Sequence, residues 1–277
     1  MTRPVREEGE RRSVWAAFRR WRRRRILRRH AIPEALWRSV CAALPLLQGL
    51  DESDRSRLRD LAGLFLHAKA VYGARDFQVD EAMRVAIAAQ ACLPILNLDL
   101  DYYDNWYSII IYPDAFIAER EEVDGMGVVH RTRHTLSGES WQRGPMVLAW
   151  SDVRPGLPPY GEASNVVVHE CAHKLDMIDG AANGLPPLHR DMDRRAWGEA
   201  FSAAYDQLQR DLMEVGVGAL DAYAAHSPAE FLAVASEAFF MTPHALARSL
   251  PQVYAQLVLY YRQDPRERAS GEAMQSN

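Results

Sequence analysis

A chain of 277 residues with 48% hydrophobic content suits one large domain or two small ones and can bury a sizeable core. Its three cysteines, Cys41, Cys92 and Cys171, are odd in number and widely spaced, which argues against a disulfide framework and fits a reducing cytoplasm. No apolar run approaches the roughly 18 residues of a membrane span, and the basic start lacks the apolar core of a secretion signal.

Charge is uneven along the chain. Residues 1–30 hold twelve Arg against three Glu, a surplus of +9, so a total of −4 leaves −13 for residues 31–277. In this basic amphipathic segment Trp15, Phe18, Trp21, Ile26 and Leu27 stand among the arginines. The pattern predicts a helix that docks Trp15, Phe18 and Trp21 onto the body and turns its arginines toward the acidic remainder. An anionic membrane surface, a nucleic acid or an acidic partner are the functional alternatives. Specific DNA binding is not expected, because no recognition-helix motif accompanies the charge.

Residues 31–97 read as a helical part. One segment runs from Glu34 to about Leu47, a second over Asp51–Phe77 with a 3.6 period, and a third over Asp80–Cys92 with Val85, Ile87 and Ala88 on its apolar face. Pro94 ends the third. Residues 98–265 read as a second part with a few strands: Trp106–Tyr112, stopped by Pro113, then Val128–Thr132 and Pro145–Trp150, with Gly138–Gly144 as the turn between. Ser151–Tyr160 is a Pro/Gly-rich loop. A helix capped by Ser164 or Asn165 closes near Gly180, and Asn183–His189 is a loop placed to cover a cleft. Helices follow over Arg194–Met213, after Ser227, and over Pro251–Gln263, and residues 266–277 form a polar tail expected to be disordered.

The helix after Asn165 carries the most chemistry. Val166-Val167-Val168-His169-Glu170-Cys171-Ala172-His173 is HExxH behind an apolar run. Positions i and i+4 share a helix face, so His169 and His173 can offer imidazole nitrogens to one ion. Glu170 lies about 100° around the wheel, beside the ion without binding it, where a general base stands. Burying three ionisable groups on such a helix is costly unless they are paired or metal-bound. A catalytic zinc site keeps three protein ligands and one open position. Glu230 is the expected third ligand: with Glu237 it marks one face of the apolar helix that opens with Ser227 and Pro228. Ser227 and Glu230 also spell a capping box, which would account for Glu230 but not for Glu237. His226 and, less well placed, His189 are rival ligands. Glu237 suits an outer role on the free N–H of a ligating His, and Asp176, three residues after His173, is the alternative. Cys171 reads as a small apolar filler turned away from the ion.

HECAHKLDMIDG, followed by DAYAAHSPAEFLAVASEAFF and supported by EAMRVAIAAQACLPIL near residues 81–96, resembles the Mlc titration factor A family of bacterial zinc peptidases. The catalytic half of that family is similar to anthrax lethal factor, a zincin with a Glu third ligand. The resemblance implies an α+β, mostly helical fold, with a zincin-like core in which a small sheet lies beside the HExxH helix and a second ligand-bearing helix. It implies one Zn2+ per chain on His169, His173 and Glu230, with Glu170 as general base and Tyr223 donating a hydrogen bond to the oxyanion. It also implies hydrolysis of short peptides in an aminopeptidase-like manner, and binding of a transcriptional repressor that controls the glucose phosphotransferase system. In zincins an edge strand aligns the substrate, and Val147, Leu148, Ala149 and Trp150 are the expected platform. A repressor-binding protein with a latent zinc site, and a metallohydrolase acting on something other than peptides, are the competing classes.

Overall fold

A computed structural model describes residues 18–19, 21–114, 116–123, 129–136, 138–140, 144–153, 164–180 and 182–268, with the backbone alone for the segments between 116 and 140. Residues 21–29 are helical. Glu34–Ala43 (α1) opens after Pro33, and a single 3-10 turn, Pro45–Leu47, follows it. Glu52–Ala68 (α2) is capped by Asp51, whose side chain accepts from the Asp54 N–H. The expected second helix therefore stops short of Phe77. Lys69 is extended, and Ala70–Gly73 (β1) leaves the helix as a strand with Val71 buried. Glu81–Cys92 (α3) is capped in the same way by Asp80 and is buried from Val85 through Cys92.

Six strands are described. Ser108–Tyr112 (β2) has the alternating burial of a strand covered on one face. Phe116–Val123 (β3) and Val129–Leu136 (β4) form a separate antiparallel hairpin; β3 had not been expected, and β4 is longer than the Val128–Thr132 strand read from sequence. Gly138–Ser140 (β5) is a strand where a turn was expected, and Met146–Ala149 (β6) follows. The main sheet has the order β1-β2-β6-β5, with β1, β2 and β6 parallel and β5 antiparallel on β6. The Val147–Trp150 platform expected from sequence is not an edge strand. β6 pairs with β2 on one side and β5 on the other, so its backbone is used on both edges, and Trp150 already belongs to a helical turn, Trp150–Val153 (α4). Among the described strands the edges of this sheet are β1 and β5, and β5 is the one beside β6.

The remaining elements are helices. Val166–Asp176 (α5) holds HExxH; Arg194–Glu214 (α6), Pro228–Met241 (α7), Pro243–Ser249 (α8) and Pro251–Tyr261 (α9) complete the chain order. α7 is buried at nearly every position from Phe231 to Phe240, which explains its apolar sequence on all sides. One apolar cluster runs from Ile32 through the sheet to Tyr261, so the helical N-terminal residues and the site-bearing helices share a core. Of the expected tail, residues 266–268 are described and helical, with Arg266 paired to Asp264 at 2.8 Å; residues 269–277 lie outside the described residues. The three cysteines are free thiols. Among the described residues no helix is long and apolar enough to cross a membrane.

Candidate metal centre

The start of α5 is set by two other helices. Asn165 caps it, accepting from the Val168 N–H at 3.0 Å, and donates its own amide to Gln90 Oε1 of α3 at 2.8 Å. One oxygen of Glu237, on α7, accepts from the Asn165 backbone N–H; the other meets His169 Nδ1 at 2.8 Å. Glu237 therefore fixes both the first turn of α5 and the ring of the first His on it. With Nδ1 donating to a carboxylate, His169 keeps Nε2 as the atom that faces the cleft.

Three ligand-type atoms converge there. His169 Nε2 lies 3.1 Å and His173 Nε2 3.3 Å from Glu230 Oε2, and the two imidazole nitrogens are 3.2 Å apart. Bonds of about 2.0–2.1 Å to a tetrahedral ion place its ligands about 3.3 Å from one another. The triangle thus has the edge length of a tetrahedral site before any ion is considered. Among the described residues this is the one group of His, Cys, Asp or Glu side chains so arranged. Ser227 accepts from the Glu230 N–H at 3.2 Å, half of the capping box, but the Glu230 carboxylate turns to the imidazoles.

The electrostatics follow from burial and proximity. Burial opposes a charge on His169, yet its hydrogen bonds to Glu230 and Glu237 and the negative fields of Glu237 and Glu170 outweigh this and hold its pKa well above 6.5. Burial alone would raise Glu230, but the hydrogen bonds from His169 and His173 keep its carboxyl well below 4.5. Glu170 differs. Burial pushes its carboxyl above 4.5 against the opposing fields of His173 and His169, and its Oε2 is buried without a hydrogen-bond partner. An unpaired buried carboxylate oxygen is costly, which marks Glu170 as a group with something to accept.

Tyr223 is 41% exposed, in a 3-10 turn just before α7, with its ring 6.0 Å from that of His169. His226 turns Nδ1 to the Tyr223 carbonyl at 2.9 Å and stays out of the triad. His189 is structural, bonded to the Tyr260 carbonyl at 2.7 Å and to the Tyr102 hydroxyl at 3.2 Å. Cys171 is buried and its thiol points to the Ala91 carbonyl, away from the triad. Asp176 is buried and accepts from the Gly184 N–H at 2.8 Å; its other oxygen has no partner. The 183–189 loop is pinned rather than free to cover a cleft: Trp197 donates to the Gly184 carbonyl at 3.0 Å, and a Cβ on Gly184 would lie 2.5 Å from the Pro228 carbonyl oxygen.

Sequence reading missed Gln90, Asn165's second role, and Lys174. Lys174 is fully buried one residue after His173 and donates to the Gly144 carbonyl at 3.0 Å, tying α5 to the approach of β6. Burial pushes its pKa down to about 8, against the opposing field of Glu170.

A family profile described as glucose-regulated metallo-peptidase M90 matches residues 18–262. This chain belongs to that family. Curated proteins named Mlc titration factor A are similar to it. The one from Escherichia coli O9:H4 is 37% identical over 253 residues, covering 90% of this chain and 92% of its own. The one from Salmonella paratyphi B is 39% identical over 231 residues, covering 82% and 85%. M90 membership implies a metal ion. The residues present fit one: two neutral-capable imidazoles and a carboxylate with tetrahedral spacing, an outer carboxylate on His169, and an orphaned Glu170 oxygen beside them.

Proposed function

We propose that this chain is a zinc-dependent peptidase of the Glu-zincin type, with His169, His173 and Glu230 as ligands. The observation that carries this reading is the 3.1–3.3 Å triangle of Nε2, Nε2 and Oε2 with the unpartnered Glu170 carboxylate next to it. Mixed nitrogen and oxygen donors at this spacing select zinc over calcium or magnesium. When bound, zinc supplies an activated water and polarises the scissile carbonyl.

The protein's own groups do the rest. Glu170 takes the proton from the attacking water and passes it to the leaving amine; its raised pKa suits both directions of transfer. Tyr223, exposed at the cleft beside His169, donates to the carbonyl oxygen as charge builds there. Glu237 holds the His169 ring, and Asp176, three residues after His173 on α5, is the outer group assigned to the second imidazole. The substrate backbone adds to β5, since β6 has no free edge; Val147–Ala149 then support that strand from inside the sheet. Short peptides are the proposed substrates, cleaved in an aminopeptidase-like way.

The relatives' name, Mlc titration factor A, supports a second role, binding an Mlc-like protein, here taken as a transcriptional repressor, which coexists with hydrolysis. The deciding experiment compares wild type with Glu170→Gln on a mixed peptide library, with zinc content measured in both. Cleavage by wild type and its loss in the zinc-loaded variant supports the peptidase reading. Inert zinc-loaded wild type rejects it and leaves repressor binding as the primary activity.

A further inference from the structure

The helix over residues 21–29 has two faces that do different things. One is docked. Arg23 pairs with Asp99 and Asp101, Arg19 donates to Asp101 at 2.8 Å, Leu27 lies against Gly63 of α2, and the His30 ring stands 5.0 Å from that of His67. At 100° per residue, positions 19, 23, 26 and 27 fall together on that side. Phe18, Trp21, Arg25, Arg28 and Arg29 fall on the opposite side, with Arg22 and Arg24 at its two margins. There Phe18 and Trp21 are 51% and 50% exposed rather than docked as read from sequence; Trp15, the third ring of that reading, lies outside the described residues. Arg22, Arg24, Arg25, Arg28 and Arg29 are all exposed, and none of them has an ion pair among the described residues. Arg25 rests over the Trp21 ring.

We propose that this outward face is a docking surface for an anionic lipid bilayer. Large aromatics beside unpaired arginines on one side of a helix lying along the protein surface match the composition of interfacial helices, with rings seated at the headgroup level and guanidinium groups on lipid phosphates. Charge complementarity needs a polyanion, and the aromatic geometry selects which. Phe18 and Trp21 stack on each other at 5.8 Å with planes 29° apart, and Arg25 covers the Trp21 ring. Ring faces already in use suit shallow insertion among headgroups and do not offer open platforms for nucleic-acid bases. Among the described residues, Asp99 and Asp101 are engaged by Arg19 and Arg23 on the docked side, so they do not repel the membrane from the outward one.

The test is co-sedimentation of the full-length protein with vesicles of phosphatidylcholine alone and of phosphatidylcholine with phosphatidylglycerol. The expected result is binding to the anionic vesicles only, weakened by salt. Each arginine neutralised lowers the partition coefficient roughly five-fold, so Arg22→Ala/Arg25→Ala/Arg29→Ala together lower it about a hundred-fold. Trp21→Ala weakens binding without changing charge. Arg19 and Arg23 stay in place, and unchanged zinc content and thermal unfolding show that the body is intact. Absence of binding to anionic vesicles overturns the proposal, as does equal binding by the triple variant. Retention of a single-stranded RNA oligomer, lost in the triple variant while vesicles are not bound, also overturns it and assigns the face to a soluble polyanion.

Discussion

Replacing Glu237 by Gln tests how the first imidazole is held. The carboxylate is 6% exposed and its two oxygens serve two donors, His169 Nδ1 at 2.8 Å and the Asn165 N–H. Gln presents one oxygen and one NH2 in their place, so one donor faces another donor, and the charge behind His169 is lost. A charge-assisted bond contributes about 1.5–3 kcal/mol against about 0.5–1.5 for a neutral one. The difference of about 1–2 kcal/mol, with the misplaced NH2 added, agrees with the roughly 10–100-fold loss of metal affinity typical of outer partners. Competition titration against a chromophoric zinc chelator gives the dissociation constant directly. A second effect runs the other way. Glu237 also raises the proton affinity of His169, and a proton on that ring competes with zinc. Its removal should therefore cost the full factor at alkaline pH and less as pH falls toward 6.5. Zinc affinity within about two-fold of wild type across that range would refute the argument, and Glu237 would then be only a helix-start contact.

Four further outcomes are expected. Glu170→Gln should keep zinc, checked by metal analysis, and lose about 10²–10⁴-fold in turnover. Tyr223→Phe should leave zinc affinity unchanged and lower kcat by one to three orders of magnitude, roughly the scale of a single oxyanion donor; a change in KM alone would assign it to substrate binding. Gly184→Ala places a Cβ 2.5 Å from a backbone oxygen at φ +78°, and should lower the free energy of unfolding by about 1–3 kcal/mol in urea. In metal-free protein, the raised pKa of His169 contributes stability that is full below 6.5 and lost as pH rises through its higher folded value. The lowered Glu230 contributes above 4.5 and is lost as pH falls through its lower folded value. Thermal unfolding with chelator should therefore show the wild-type advantage over Glu230→Gln shrinking at both ends.

Much of this was legible in the chain itself. HExxH needs only the helical period to put His169 and His173 on one face, and Asn165, Asp80, Asp51 and Ser227 announce their helices because a capping side chain acts within a few residues. Glu230 stood out because an acid on a helix this apolar has to meet a cation. Local rules failed where partners are remote. The β5 strand was read as a turn, and β6 as an edge, because strand neighbours are settled by pairing across the sheet, which no window of sequence contains. Gln90 and Lys174 carry no pattern; each acquires meaning from a group many residues distant. The N-terminal helix shows the same division. Its period and charge were plain, but which face meets Asp99 and Asp101, and which leaves Phe18 and Trp21 in solvent, was decided by docking. The sequence by itself determined the chemistry on offer, since ligand types and helix starts are local properties. The tertiary structure decided which groups share a site, because a 3 Å convergence of side chains from separate helices depends on packing the whole core.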